Sequence, residues 1–265
     1  MKKFFSGCYV ALVLLFMYLP IFVLIAFSFN EGRGRVWSGF SFKWYGELFQ
    51  DKAILGALGN TLIIAFIASL FATILGTAAA IGIHNMRKNT RSLVKNVNSL
   101  PLISPEIVMG ISLMILFSSL HITRGFFTMI IAHITFCVPA VVLSVLPKLG
   151  QINRHIYEAA LDLGCNEVQA FFKVILPEIM PGVISGFLMA LTYSIDDFVI
   201  SYFTSGPSSQ TLPLIIYTIT KKPMTPKLNA LSTLMFVVVL VILFVSNMNG
   251  DGASCKKSKK KAKKA

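Results

Sequence analysis

Residues 4 to 29 run for 26 positions without a charged side chain. Nothing constrains the fold more, because about 20 predominantly apolar residues suffice for a helix to cross a bilayer. The Met1-Lys2-Lys3 start ahead of this run imitates a secretory leader. The run is longer than a leader's apolar region of about 7–15 residues, and it lacks a clear small-x-small cleavage site. It therefore reads as a retained transmembrane helix. Five further stretches meet the same requirement, approximately over residues 56–83, 99–120, 126–146, 180–203 and 228–247. The expected fold class is all-α, a polytopic transmembrane helical bundle of six spans. It would fill residues 1–247, with a polar loop at 147–179 and a lysine-rich tail at 248–265.

Composition agrees with this pattern. The chain is 55% hydrophobic and 13% charged, with a mean hydropathy of +0.74. Soluble domains carry about twice that charged fraction. A net charge of +13 would ordinarily suggest nucleic acid, yet seven of the 24 basic residues are lysines between Lys256 and Lys264. Such like-charge runs are usually solvated. Anionic lipid head groups are a by-product contact, at about 1 kcal/mol per nearby basic residue. Membrane lipid is thus an expected partner and nucleic acid is not.

Orientation follows from the basic residues. Sixteen Lys and Arg fall on the side that holds both termini, and eight on the other. Positive charge marks the cytoplasmic side, so both termini are expected there. Without the tail the balance is nine to eight, and the clearest local vote comes from Arg87, Lys88, Arg91 and Lys95.

Little here can do chemistry. Cys8, Cys137, Cys165 and Cys255 are scattered, with neither metal spacing nor a disulfide framework. His84, His121, His133 and His155 lack the i, i+3 or i, i+4 pairing of metal ligands. His133, midway along the fourth span, reads as a buried residue hydrogen-bonded to a neighbouring helix. No glycine-rich phosphate loop is present, and no nucleophile–base pair suggests itself. The chain is read as having no catalytic residue, no metal site and no cofactor of its own.

The polar island at 147–179 is the most specific segment. Glu158-Ala159-Ala160 is followed after three residues by Gly164, and after nine more by Val174, two before Leu176-Pro177. Gly164 suits a left-handed helix end and Asn166 the start of the next helix. There Val168, Phe171, Phe172, Ile175 and Leu176 form an apolar stripe that Pro177 is expected to stop. Glu158 and Asp162 lie one turn apart, a like-charge pair that costs a few tenths of a kcal/mol unless a cation answers it. A solvated acidic face partnered by Arg154 is one reading; a docking element is the other.

Acids inside spans are the second informative group. A mid-bilayer acid costs roughly 2.5–3.5 kcal/mol on insertion scales, so it usually faces a bundle interior or a wet cavity. Asp196 and Asp197 lie in the outer half of the fifth span. Asp197 shares a helical face with Gly186, Tyr193, Ser194, Ser201 and Thr204, so it is expected to face a substrate pathway, with Asp196 toward a partner helix. Glu106 follows Pro105. It is read either as an acid in a first helical turn, with Ser104 as the cap, or as lining a route where Pro101 and Pro105 break the helix. Between residues 204 and 227, Thr211 opens a short amphipathic run with Leu212, Ile215, Ile216 and Ile219, expected to lie at the outer interface.

The spacing from Glu158 to Pro177 resembles the cytoplasmic signature of type I ABC-importer permeases. Three further pieces resemble the spermidine/putrescine class of that family: Ser194 to Ser201, Pro105 to Gly110, and Thr211-Leu212-Pro213-Leu214 with Ile216-Tyr217. The lysine tail departs from the family pattern. The resemblance implies a transport subunit, not an enzyme, in a bacterial inner (plasma) membrane. It implies a second homologous permease subunit, a dimer of ATPase subunits and an extracytoplasmic solute-binding protein. ATP, with magnesium, would sit on the ATPases, which would grip Glu158, Ala159, Ala160, Asp162 and Gly164. Substrate would pass Asp197, Asp196 and Glu106. An importer for another small solute, such as ferric ion, and an ion-coupled secondary transporter are the alternatives.

Overall fold

A computed structural model describes residues 2–33, 36–221 and 226–241. The lysine tail, Cys255 and the last residues of the sixth expected span lie outside the described residues. Every regular element described is helical: α1 (Lys2–Ser28), α2 (Lys43–Gln50), α3 (Lys52–Asn85), α4 (Lys88–Ile103), α5 (Glu106–Ser119), α6 (Phe126–Leu149), α7 (Arg154–Asp162), α8 (Glu167–Ala170), α9 (Leu176–Asp196), α10 (Val199–Thr204), α11 (Leu212–Thr220) and α12 (Pro226–Val241).

Among the described residues, four helical stretches are long and apolar enough to cross a membrane: Gly7–Ser28, Lys52–Asn85, Phe126–Leu149 and Glu167–Asp196. The third expected span is not one straight helix. α4 and α5 meet at a bend of 98°, because Pro105 drives Ser104 into an extended conformation (ψ 143°). Taken together they make a fifth crossing or a re-entrant pair. α12, over its described length, is a shorter apolar helix.

Residues up to Leu58 together with Leu212–Leu240 form one compact unit. Asn30 is its polar hub. The side chain donates to the Val36 carbonyl at 3.0 Å and accepts from the Ser38 amide at 2.8 Å, while its own carbonyl accepts from the Trp44 indole at 2.7 Å. Phe29 packs against Phe40, Phe42 and Tyr45 around that knot. Asp51 accepts from the amides of Ala53 and Ile54 at the start of α3 and pairs with Lys227 at 2.5 Å. The Lys227 hydrogen bond holds the Asp51 carboxyl below the ordinary carboxylate range, outweighing the opposite effect of burial.

The second unit holds Gly59–Thr211. Its core is the seam of α6 against α9, with α3 alongside, built from Ala72, Ala80, Cys137, Val141, Val142, Val145, Ile179 and Ala190. Small residues let these backbones approach. A Cβ at Gly76 would stand 2.7 Å from Val141 Cβ, and one at Gly186 3.2 Å from Val141 Cα.

Pro177 does not stop the helix that Asn166 opens. α8 widens into a π turn at Phe171–Ile175, where the Leu176 amide reaches the Phe171 carbonyl, and α9 continues past Pro177 to Asp196. A proline lacks the N–H that its turn would use, so the chain spends one extra residue there and continues. The fifth expected span therefore begins far earlier than residue 180. It breaks at Asp197 (ψ 122°), after which α10 resumes.

Candidate functional site

A cavity of about 420 Å³ lies where both broken helices come together. Pro101, Ser104, Glu106 and Met109 line it from the α4–α5 bend, Tyr193, Asp196, Asp197 and Phe198 from the α9–α10 break, and Phe136 from α6. The fold thus brings the three acids singled out in the sequence to one cavity. Glu106 occupies the first turn of α5, where the helix dipole favours a negative charge. Ser104 does not cap that helix: its hydroxyl donates back to the Leu100 carbonyl at 2.8 Å and closes α4.

Both aspartates line the cavity, but the more exposed one is Asp196, not the Asp197 that the helical wheel turns toward an open pathway. Asp196 is exposed, and among the described residues neither it nor Glu106 has an ion-pair partner. Asp197 borders the cavity but is only 9% exposed. One of its oxygens accepts from the Ile200 amide at 3.2 Å and the other from the Ser201 amide at 2.7 Å, so the carboxylate caps α10. The polar face of Gly186, Ser194, Asp197, Ser201 and Thr204 is the buried one, because α6 covers it and supplies a polar partner.

That partner is His133, completely buried. Its Nδ1 shares a hydrogen bond with Ser194 Oγ at 2.6 Å and its Nε2 one with Ser201 Oγ at 3.1 Å. Nε2 also lies 3.6 Å from Asp197 Oδ2. A hydroxyl can donate or accept, so either imidazole tautomer is satisfied. The histidine is bonded to a neighbouring helix as the sequence suggested, but its link to the α9–α10 break could not be read there. Tyr193 and Phe136 were also missed as lining residues. The placement of Tyr193 three residues before Asp196 was the available signal.

The second region is the 147–179 loop. Asn153 opens α7 by accepting the His155 amide at 3.1 Å. At the other end Gly164 takes φ +87°, its amide donates to the Leu161 carbonyl at 2.9 Å, and the Cys165 amide donates to Ala160 at 3.1 Å. This is a Schellman termination, which glycine adopts without a Cβ penalty. Asn166 and Gln169 then form a reciprocal capping box. Ala160 is buried, while Glu158, Ala159, Asp162 and Gly164 are exposed. The side chain described beside Glu158 is His155, with Nδ1 at 3.1 Å from Oε2. Leu163 is 86% exposed and Val168 65%, so the knob presents apolar side chains as well as acids. A cavity of about 510 Å³ lies at its root, between Tyr157, Glu158, Glu167 and Phe171 on one side and His84 and Leu149 on the other.

Lipid-length helices that break beside an acidic cavity, with a stiffly capped knob on a polar loop, are the architecture of a membrane transport subunit. Residues 72–249 match the family described as binding-protein-dependent transport system inner membrane component, and the chain belongs to it. It is 38% identical to the spermidine/putrescine transport system permease protein PotC of Haemophilus influenzae, over 94% of this chain and 97% of that one. It is likewise 38% identical to the putrescine transport system permease protein PotI of Escherichia coli K12, over 87% and 85%. In fold it is similar to a bacterial ABC transporter that imports alginate (TM-score 0.75, 15% identity, 93% and 95% coverage). The inward-facing MetNI methionine ABC transporter is also similar (TM-score 0.63, 17% identity, 80% and 99% coverage).

Proposed function

We propose that this chain is one of two homologous permease subunits of an ATP-driven importer, and that its cargo is a polyamine of the spermidine/putrescine class. The observation that carries the cargo reading is the pairing of Glu106 and Asp196, exposed and without described cationic partners, on a cavity flanked by Tyr193 and Phe136. A polycation stripped of water needs compensating negative charge. Aromatic faces add cation–π attraction of roughly 0.5–2 kcal/mol. The 38%-identical relatives, named as spermidine/putrescine and putrescine transport permeases, agree with that chemistry.

In this reading residues 1–247 make six crossings of a bacterial inner membrane, with both termini and the 147–179 loop cytoplasmic. A dimer of ATPase subunits, which carries the ATP and magnesium, grips Glu158, Ala159, Ala160, Asp162 and Gly164. An extracytoplasmic binding protein delivers cargo to the opposite side. Nucleotide binding draws the ATPases together and rocks the two permeases between inward- and outward-open states. The test is uptake of radiolabelled spermidine and putrescine into vesicles holding this chain with its sister permease, ATPase and binding protein. ATP-dependent uptake that falls at least 10-fold in Glu106→Gln with Asp196→Asn supports the reading. Unchanged uptake in that variant, or accumulation by this chain without any ATPase, overturns it.

A further inference from the structure

We infer that His133 is a positioning residue for cargo: its ring pins the break between α9 and α10, which leaves Asp196 as the free carboxylate of the pair. The inference rests on the importer reading above and goes beyond it by assigning unequal tasks to adjacent acids. Three observations converge. The ring bridges the break, with Ser194 of α9 at 2.6 Å from one nitrogen and Ser201 of α10 at 3.1 Å from the other. The intervening Asp197 is committed to the Ile200 and Ser201 amides, so the first turn of α10 is satisfied by a side chain at the break itself. Phe136, one turn beyond His133 on α6 and in edge-to-face contact with its ring at 5.6 Å, lines the acidic cavity. His133 thus couples the cavity wall on α6 to the break without reaching the cavity.

The consequence is directional. At an unbroken helix residues 196 and 197 would point about 100° apart and swing together. Here the extended backbone at Asp197 (φ −65°, ψ 122°) separates the two carboxylates, one buried and one open. An apolar residue at position 133 fills the same space but offers neither serine a partner. The break then loses its tie to α6, and the orientation of Asp196 is no longer fixed.

A double-mutant cycle on the assembled importer in vesicles tests this, read as spermidine imported per ATP hydrolysed. His133→Leu and Asp196→Asn are each expected to lower that ratio about 10-fold. Together they are expected to lower it no more than about 2-fold further, because both act through one carboxylate. His133→Gln, which keeps a donor and an acceptor, is expected to restore the ratio to within about 3-fold of wild type. A wild-type ratio in His133→Leu, or a double mutant near 100-fold down, overturns the inference. If His133→Leu does not assemble, Ser201→Ala takes its place in the same cycle, with the same expectations. If wild-type vesicles import no polyamine, the cargo reading fails separately. The inference is then read by thiol labelling of Asp196→Cys, in a chain whose native cysteines are replaced by serine. Adding His133→Leu is expected to shift its labelling rate at least 5-fold relative to Ser104→Cys. An unchanged relative rate overturns it.

Discussion

Gly110 in α5 faces the ring of Phe203 in α10, and the two helices approach closely there. A Cβ at position 110 would stand 2.7 Å from Phe203 Cδ2 and 3.4 Å from Cγ, with the Val199 carbonyl also at 3.4 Å. Ordinary contact begins near 3.4 Å, so the ring must move by several tenths of an ångström in a seam already bounded by Ile200 and Phe117. Overpacking of this kind costs about 1–3 kcal/mol. The helical gain of alanine over glycine returns about 0.5–1 kcal/mol. Gly110→Ala is therefore expected to destabilise by a net ~1 kcal/mol, a fall in thermal midpoint of roughly 2–4 °C for a chain of this size. Gly82 in α3 is the control, since a Cβ there meets nothing within 4 Å. Gly82→Ala keeps the gain alone and is expected to raise the midpoint by roughly 1–3 °C. Thermal unfolding of the detergent-purified protein reads both. Phe203→Leu in the Gly110→Ala background should recover most of the loss. Equal midpoints for Gly110→Ala and Gly82→Ala, or no recovery from the second substitution, would refute the close approach of α5 and α10.

Asp197→Ala strips two buried amides of their acceptor, at roughly 1–3 kcal/mol per unsatisfied group, and should lower the thermal midpoint sharply. Asp196→Asn, at an exposed position, should leave the midpoint within about 1 °C while lowering polyamine uptake. At Gly164, φ +87° in open surroundings makes the backbone the whole obstacle to a side chain; left-handed geometry costs other residues about 1–2 kcal/mol. Gly164→Leu should therefore insert normally yet lose at least 10-fold in ATPase co-purification. The depressed carboxyl of Asp51 stabilises the fold above its unfolded value, and that stability fades as pH falls through the lower folded value. Between pH 6 and pH 3 the wild type should lose about 0.5 kcal/mol more than Asp51→Asn, measured as the difference in midpoint shift.

What the sequence could disclose was what local chemistry decides. Gly164 and Asn166 announce a helix end and a helix start because both motifs close within six residues. The uncharged runs announce lipid-length helices because hydrophobic length is additive along the chain. The helical wheel could not show that Asp197 is buried, because the partner that covers its face, His133, arrives from α6, some sixty residues away in sequence. Pro177 misled for a related reason. A proline forbids one hydrogen bond, but whether a helix ends or widens depends on packing farther along the bundle. Ser104 likewise had two helices within reach, and only the bend decides which one it serves.

The widened turn at Phe171–Ile175 carries a consequence for how this chain tolerates insertion and deletion. An α-helix advances 100° per residue, whereas the wide turn fits one residue more into about the same revolution. Excising a single residue there would narrow it to an α turn and leave the angular phase between Asn166 and everything downstream of Leu176 nearly unchanged. Excising one from the regular turns of α9 would instead rotate Asn166 and the capped loop behind it by more than a quarter of a revolution, so a one-residue change in length is absorbed in these five positions and not in the turns that follow.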